Sequence, residues 1–103
     1  MDLSDLYTPQ ELAEKRISFL ERVLAFYNEI PETADRARTV GHKLRGTGGN
    51  LGLADLAERG TALQWQAQEG ASSDVLKGEL ARIRPQIEAA IARERAILSE
   101  RGA

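Results

Sequence analysis

The chain has 103 residues, 42% apolar and 29% charged, with 14 basic and 16 acidic side chains and a net charge of −2. That length suits one domain, residues 1–103, with a modest core and no room for a deep cleft beside a cofactor domain. Nothing in the near-balanced charge suggests a nucleic-acid or anionic-membrane binder, and a chain with no cysteine and a single histidine has no disulfide, no thiol nucleophile and no thiolate or all-histidine metal site.

The N-terminus, Met1-Asp2-Leu3-Ser4-Asp5, lacks the basic and apolar regions of a signal peptide. No apolar run approaches the ~20 residues that span a bilayer, so the expected compartment is the cytoplasm. Ala, Leu, Glu and Arg dominate, and the apolar spacing is helical almost throughout. Thr8-Pro9-Gln10-Glu11 predicts a helix start: a capping box with proline at the first helical position. Its stripe runs Ala13, Ile17, Leu20, Leu24, Tyr27, and a flank adds Leu12, Phe19, Val23, Phe26 and Ile30. That face is wider than one neighbouring helix needs, so Phe19 and Phe26 read as core, with a docking surface as the other option. Pro31 ends this helix by disfavouring helical geometry at Ile30.

A second helix starts near Thr33 and turns Ala37, Val40, Leu44 and Leu51 to one side. Four glycines then fall between Gly46 and Gly52, both included. The third helix carries Leu53, Leu56, Gly60, Leu63 and Ala67, and is broken at Glu69-Gly70-Ala71-Ser72-Ser73. Trp65 lies about 180° from Leu56 on it, which makes it a surface anchor or, the preferred reading, a cap over the fourth helix. Ser72 or Ser73 caps that fourth helix, with Leu76, Leu80, Ile83, Ile87, Ala90, Ile91 and Leu98 in register. Pro85 falls inside the pattern and predicts a kink rather than a stop. The charged Arg93-Glu94-Arg95 reads as a solvated helix end. The expected fold is all-α: an antiparallel, up-down-up-down four-helix bundle, with room for a short extra N-terminal segment.

Residues 40–53 are unlike the rest of the chain. Around an ideal helix, Asp35, Arg38, Thr39, Arg45, Gly46 and Gly49 fall within about 60° of His42, and Val40, Leu44 and Leu51 lie opposite. The histidine therefore faces solvent among cations and residues with no side chain. Each helical glycine costs ~1 kcal/mol against alanine, so something other than helix stability favours these. Bare backbone beside an exposed imidazole lets another molecule come close, which makes Gly46 and Gly49 candidates for partner access. A neutral imidazole has a free lone pair and is a competent nucleophile. The phosphoramidate it forms is reactive enough to pass its group on, and Lys43 and Arg45 could offset the added charge.

His42, Leu44, Arg45, Gly46, Thr47, Gly48 and the pair Leu51-Gly52 match the signature of the histidine-containing phosphotransfer (HPt) domain, and the chain resembles that family of two-component phosphorelays. The match runs on through Leu53, Leu56 and Leu63, and the four-helix pattern covers nearly the whole chain. The resemblance implies that His42 is the phosphoacceptor, in the middle of the second helix, and that this helix runs to about Asn50. The glycines alone would end it at Gly46. It also implies a glutamine on the third helix that hydrogen-bonds the imidazole, and Gln64 stands at that offset. Two positions depart from the family. Arg45 replaces the usual lysine, keeping the charge in a planar, differently hydrated group, and Gln68 stands where some members carry a further basic residue. The implied partners are receiver domains of response regulators and hybrid histidine kinases. They would bring the magnesium ion, so the chain itself needs no cofactor, is a carrier rather than a self-phosphorylating enzyme, and works as a monomer.

The other readings have weaker footing. The run from Gly41 to Thr47 lacks the lysine of a phosphate-cradling loop and follows no strand. Leu51 occupies the last glycine position of a dinucleotide-binding pattern. A fragment of a chemotaxis-type kinase would carry a similar motif, but no ATPase or dimerisation segment accompanies it. The main competitor is a bundle that binds receiver or kinase domains as an adaptor, with His42 chemically idle.

Overall fold

The computed structural model describes residues 4–102; residues 1–3, where the N-terminal stretch read as lacking a leader begins, and residue 103 lie outside them. The described chain is all-helical. A short 3-10 turn at Ser4–Leu6 precedes α1 (Pro9–Glu29), α2 (Thr33–Lys43), α3 (Ala54–Gln68) and α4 (Ser73–Gly102). A wider turn, Leu44–Gly48, continues α2, and helical geometry persists through Asn50. Among the described residues, no helix is long and apolar enough to cross a membrane.

The helix ends follow from local chemistry. Thr8 caps α1 by accepting from the Glu11 N–H at 3.1 Å, while the Glu11 carboxylate accepts from the Thr8 N–H at 2.9 Å. Both otherwise orphaned donors are thereby satisfied. Ile30 before Pro31 is extended, at φ −105° and ψ 105°, which stops the helix there. Glu32 caps α2, its two carboxylate oxygens accepting from the N–H groups of Ala34 at 3.0 Å and Asp35 at 2.8 Å. The bonds from Asp35 and then Ala34 hold the Glu32 carboxyl below the usual carboxylate range. Gly52, at φ 77°, closes the extended α2: its N–H reaches the Gly49 carbonyl at 3.1 Å, and the Leu53 N–H reaches the Gly48 carbonyl at 2.9 Å. Gly70 ends α3 in the same way, with φ 80° and bonds to the carbonyls of Ala67 and Gln66. Ser72 is the cap of α4, its hydroxyl accepting from the Val75 N–H at 3.2 Å.

The buried apolar residues join in one cluster, α1 packing chiefly against α4 and α2 against α3. Its wholly buried members include Leu20, Val40, Leu44, Leu63, Leu76 and Ile87, all on the stripes that the spacing marked. Phe19 and Phe26 are half-buried and packed against this cluster.

Two expectations need correction. Trp65 does not cap the fourth helix: it is 60% exposed. The charged stretch near the C-terminus is not merely solvated, because Glu94 is buried at 6% exposure. Its carboxylate accepts from Arg16 Nη1 at 2.8 Å, and Arg16 Nε donates to the Leu51 carbonyl at 2.8 Å. One guanidinium therefore ties α1, α4 and the end of the extended α2, and it compensates a carboxylate that would be costly to bury alone. Arg95 also reaches back, to Glu21 at 2.8 Å.

Tyr27 carries a pH dependence. Its hydroxyl donates to the Leu80 carbonyl at 2.8 Å, and burial pushes its pKa from 10.0 up to about 12, against smaller opposing effects of Arg84 and Arg36. The folded protein keeps this proton where the unfolded chain has released it. The stabilising contribution is therefore complete below pH 10 and disappears as the pH rises to about 12. Urea unfolding followed across that interval should show wild type losing about 2–3 kcal/mol more than Tyr27→Phe. Parallel decline of the two proteins would refute this assignment.

Candidate functional site

The centre of the α2–α3 contact is made by two glycines. A Cβ placed on Gly41 would lie 2.8 Å from the Gly60 carbonyl oxygen and 2.9 Å from the Gln64 backbone nitrogen. One on Gly60 would lie 2.6 Å from Leu44 Cβ, 2.8 Å from the Gly41 oxygen and 2.9 Å from the Arg45 nitrogen. Only bare backbone fits on either side, so the two helices run nearly in main-chain contact. Gly41 was not singled out in the sequence, and Gly60 was noted only as part of a stripe. The available signal was that both fall on the buried side of their helices, where a small residue leaves a void unless another backbone fills it.

This contact sets the position of the candidate residues. Gly41 is buried, and the next residue, His42, is exposed, because successive helical positions differ by about 100°. Gln64 is half-buried beside Gly41, and its side-chain Oε1 accepts from Arg45 Nη1 at 3.3 Å. Arg45 and Gln64 are thus brought together at the mouth of the α2–α3 seam. Gln64 is not hydrogen-bonded to the imidazole; its carbonyl oxygen is engaged by Arg45. Lys43 is exposed. One turn before His42, Arg38 pairs with Asp35 at 2.9 Å on the surface.

The wide turn at Leu44–Gly48 was not anticipated, and it changes where the glycines point. An i→i+5 turn takes up one residue more than an α-turn, so every later position lags by about 100° behind the ideal projection. Gly46 keeps an open position, with nothing within 4 Å of an added Cβ. Gly48 is buried against the Phe19 ring, at 3.6 Å from an added Cβ. Gly49, projected about 20° from His42 on an ideal helix, instead points its Cβ direction at Ala57 of α3, 3.8 Å away. Its place on the outer face passes to exposed Asn50. Gly49 therefore borders α3 at a half-buried position, while Gly46 faces open space.

Chemically, the arrangement offers a nucleophilic ring in free solvent, two exposed cations within a turn of it and no enclosing pocket wall from its own helix. Such a site suits a group delivered by another macromolecule rather than a small substrate held in a cleft. Among the described residues, no group of three or more His, Cys, Asp or Glu side chains could hold a metal ion. No family model, curated protein or solved structure matches the chain.

Proposed function

We propose that the chain is a phosphocarrier of a multistep phosphorelay, an HPt-type protein in which His42 accepts a phosphoryl group from a receiver aspartate and passes it to another receiver. The observation that carries this reading is the exposed His42 beside a seam where Arg45 and Gln64 already touch. A ring nitrogen of neutral His42 attacks phosphorus as the bond to the aspartyl oxygen breaks. The carboxylate leaves with the electron pair, and the other ring nitrogen keeps its proton. The added charge attracts Arg45, which leaves Gln64, and the freed amide oxygen can then accept from the imidazole N–H. Lys43 adds a second cation. The receiver supplies the magnesium ion, and with no ATP-binding motif the chain does not phosphorylate itself. The reading includes a monomer in the cytoplasm, an antiparallel up-down-up-down bundle and a bend at Pro85. The opposite order of the contacts Gly41 to Gln64 and Gly49 to Ala57 supports antiparallel α2 and α3.

The test is incubation with receiver domains charged by acetyl phosphate, read on a phosphate-affinity gel. Wild type should take up phosphate. Arg45→Ala should slow transfer or shorten the life of the phosphorylated form, and Gln64→Ala should slow transfer. Their single exposed hydrogen bond is worth at most about 1 kcal/mol, so neither change should alter melting much. Wild-type rates in both variants would rule out these roles.

A further inference from the structure

We infer that Trp65 is the anchor that holds the phosphate-donating or -accepting partner on the His42 face, an inference that rests on the phosphotransfer reading. Trp65 is the only tryptophan and is 60% exposed, an apolar area that water solvates poorly. Its direction follows from the helix contacts. On α3, relative to Gly60, buried Leu56, Leu63 and Ala67 lie to one side; Gln64 and then Trp65 lie to the other, about 40° and 140° round. On α2, relative to Gly41, Leu44 lies to one side; Arg45 and then His42 lie to the other, about 40° and 100° round. Arg45 and Gln64 touch, so these two outer sides adjoin. His42 and Trp65 flank one face, with the Arg45–Gln64 bond between them.

The charge on this face fits one kind of occupant. Arg45 and Lys43 surround the histidine with positive charge, and Asp35 is neutralised by Arg38. That favours a partner whose reactive centre is anionic, as an aspartyl phosphate in a carboxylate-lined receiver cleft is. Charge steers such an encounter but is screened by salt, whereas a buried indole beside the reacting pair supplies contact area and register. Tryptophan is the residue type most enriched among those that dominate interface energy.

A single tryptophan makes the contact readable. Tryptophan-free receiver variants charged with acetyl phosphate are titrated into the full chain, following indole emission and transfer to His42 together. Binding should shift the wild-type emission to shorter wavelength. Trp65→Ala should raise the half-saturating receiver concentration about tenfold or more and leave the maximal transfer rate within about twofold. Trp65→Phe should recover part of the loss. An unshifted emission, or equal half-saturation in Trp65→Ala, overturns the anchor while labelling of His42 keeps the phosphotransfer reading. If no receiver labels wild type, that reading falls and the anchor with it. Should alanine weaken the fold, the wild-type emission shift still decides.

Discussion

His42→Gln is expected to bring phosphate uptake from charged receivers down to background while the protein folds and melts as wild type does. The side chain stands in solvent, so its loss removes no core contact, and exposed substitutions usually change stability by less than about 0.5 kcal/mol. Glutamine keeps a polar side chain but has no nucleophilic nitrogen, since its amide lone pair is delocalised. The wild-type adduct should be lost in acid and survive in base, as a phosphoramidate does and an acyl phosphate does not. Full labelling of His42→Gln would remove the basis of the proposed function. Retained receiver binding by an unlabelled variant is expected, because Trp65 and the cations are intact. A wild type that binds receivers without ever being labelled would point to the adaptor instead.

Gly60→Ala is expected to cost about 3 kcal/mol. The new Cβ would meet Leu44 Cβ at 2.6 Å, the Gly41 carbonyl oxygen at 2.8 Å and the Arg45 backbone nitrogen at 2.9 Å. Backbone cannot rotate away as a flexible side chain can, so α2 and α3 must separate and lose contact along the seam. At that cost the melting temperature of a domain this size should fall by more than about 10 °C. Gly49→Ala is the internal control. Its backbone is helical at φ −61° and ψ −43°, and its Cβ would meet Ala57 Cβ at an ordinary 3.8 Å. Alanine there should be neutral or stabilising by up to ~1 kcal/mol. Equal effects at the two positions would show that the close approach at Gly60 does not limit stability.

Much of the fold could be read directly. The stripe of α3 and that of α4 from Leu76 to Ile91 were marked correctly because a 3.6-residue period survives wherever one face is buried against neighbours, whereas Leu98 is only half-buried. The capping box at Thr8 and the stop at Pro31 are local sterics and hydrogen bonding, complete within a few residues. The exposure of His42 followed from the same period, since Val40 and Leu44 flank it on the buried side.

Tertiary contacts decided the rest. The wide turn at Leu44–Gly48 is not encoded by any single residue. It lies where Gly48 packs beside Phe19 and Gly49 beside Ala57, neighbours that are remote in sequence. Glu94 looked like a solvated charge because its partner, Arg16, is remote in sequence. Trp65 could cap a neighbour or stand free, and only the placement of α4 shows that it is left 60% exposed. By itself, then, the sequence determined the helices, their inward faces and the exposed histidine, because those depend on neighbours a few residues away. The glycine seam that sets Arg45 against Gln64, and the face that His42 shares with Trp65, depend on two helices meeting, and only the tertiary structure could decide them.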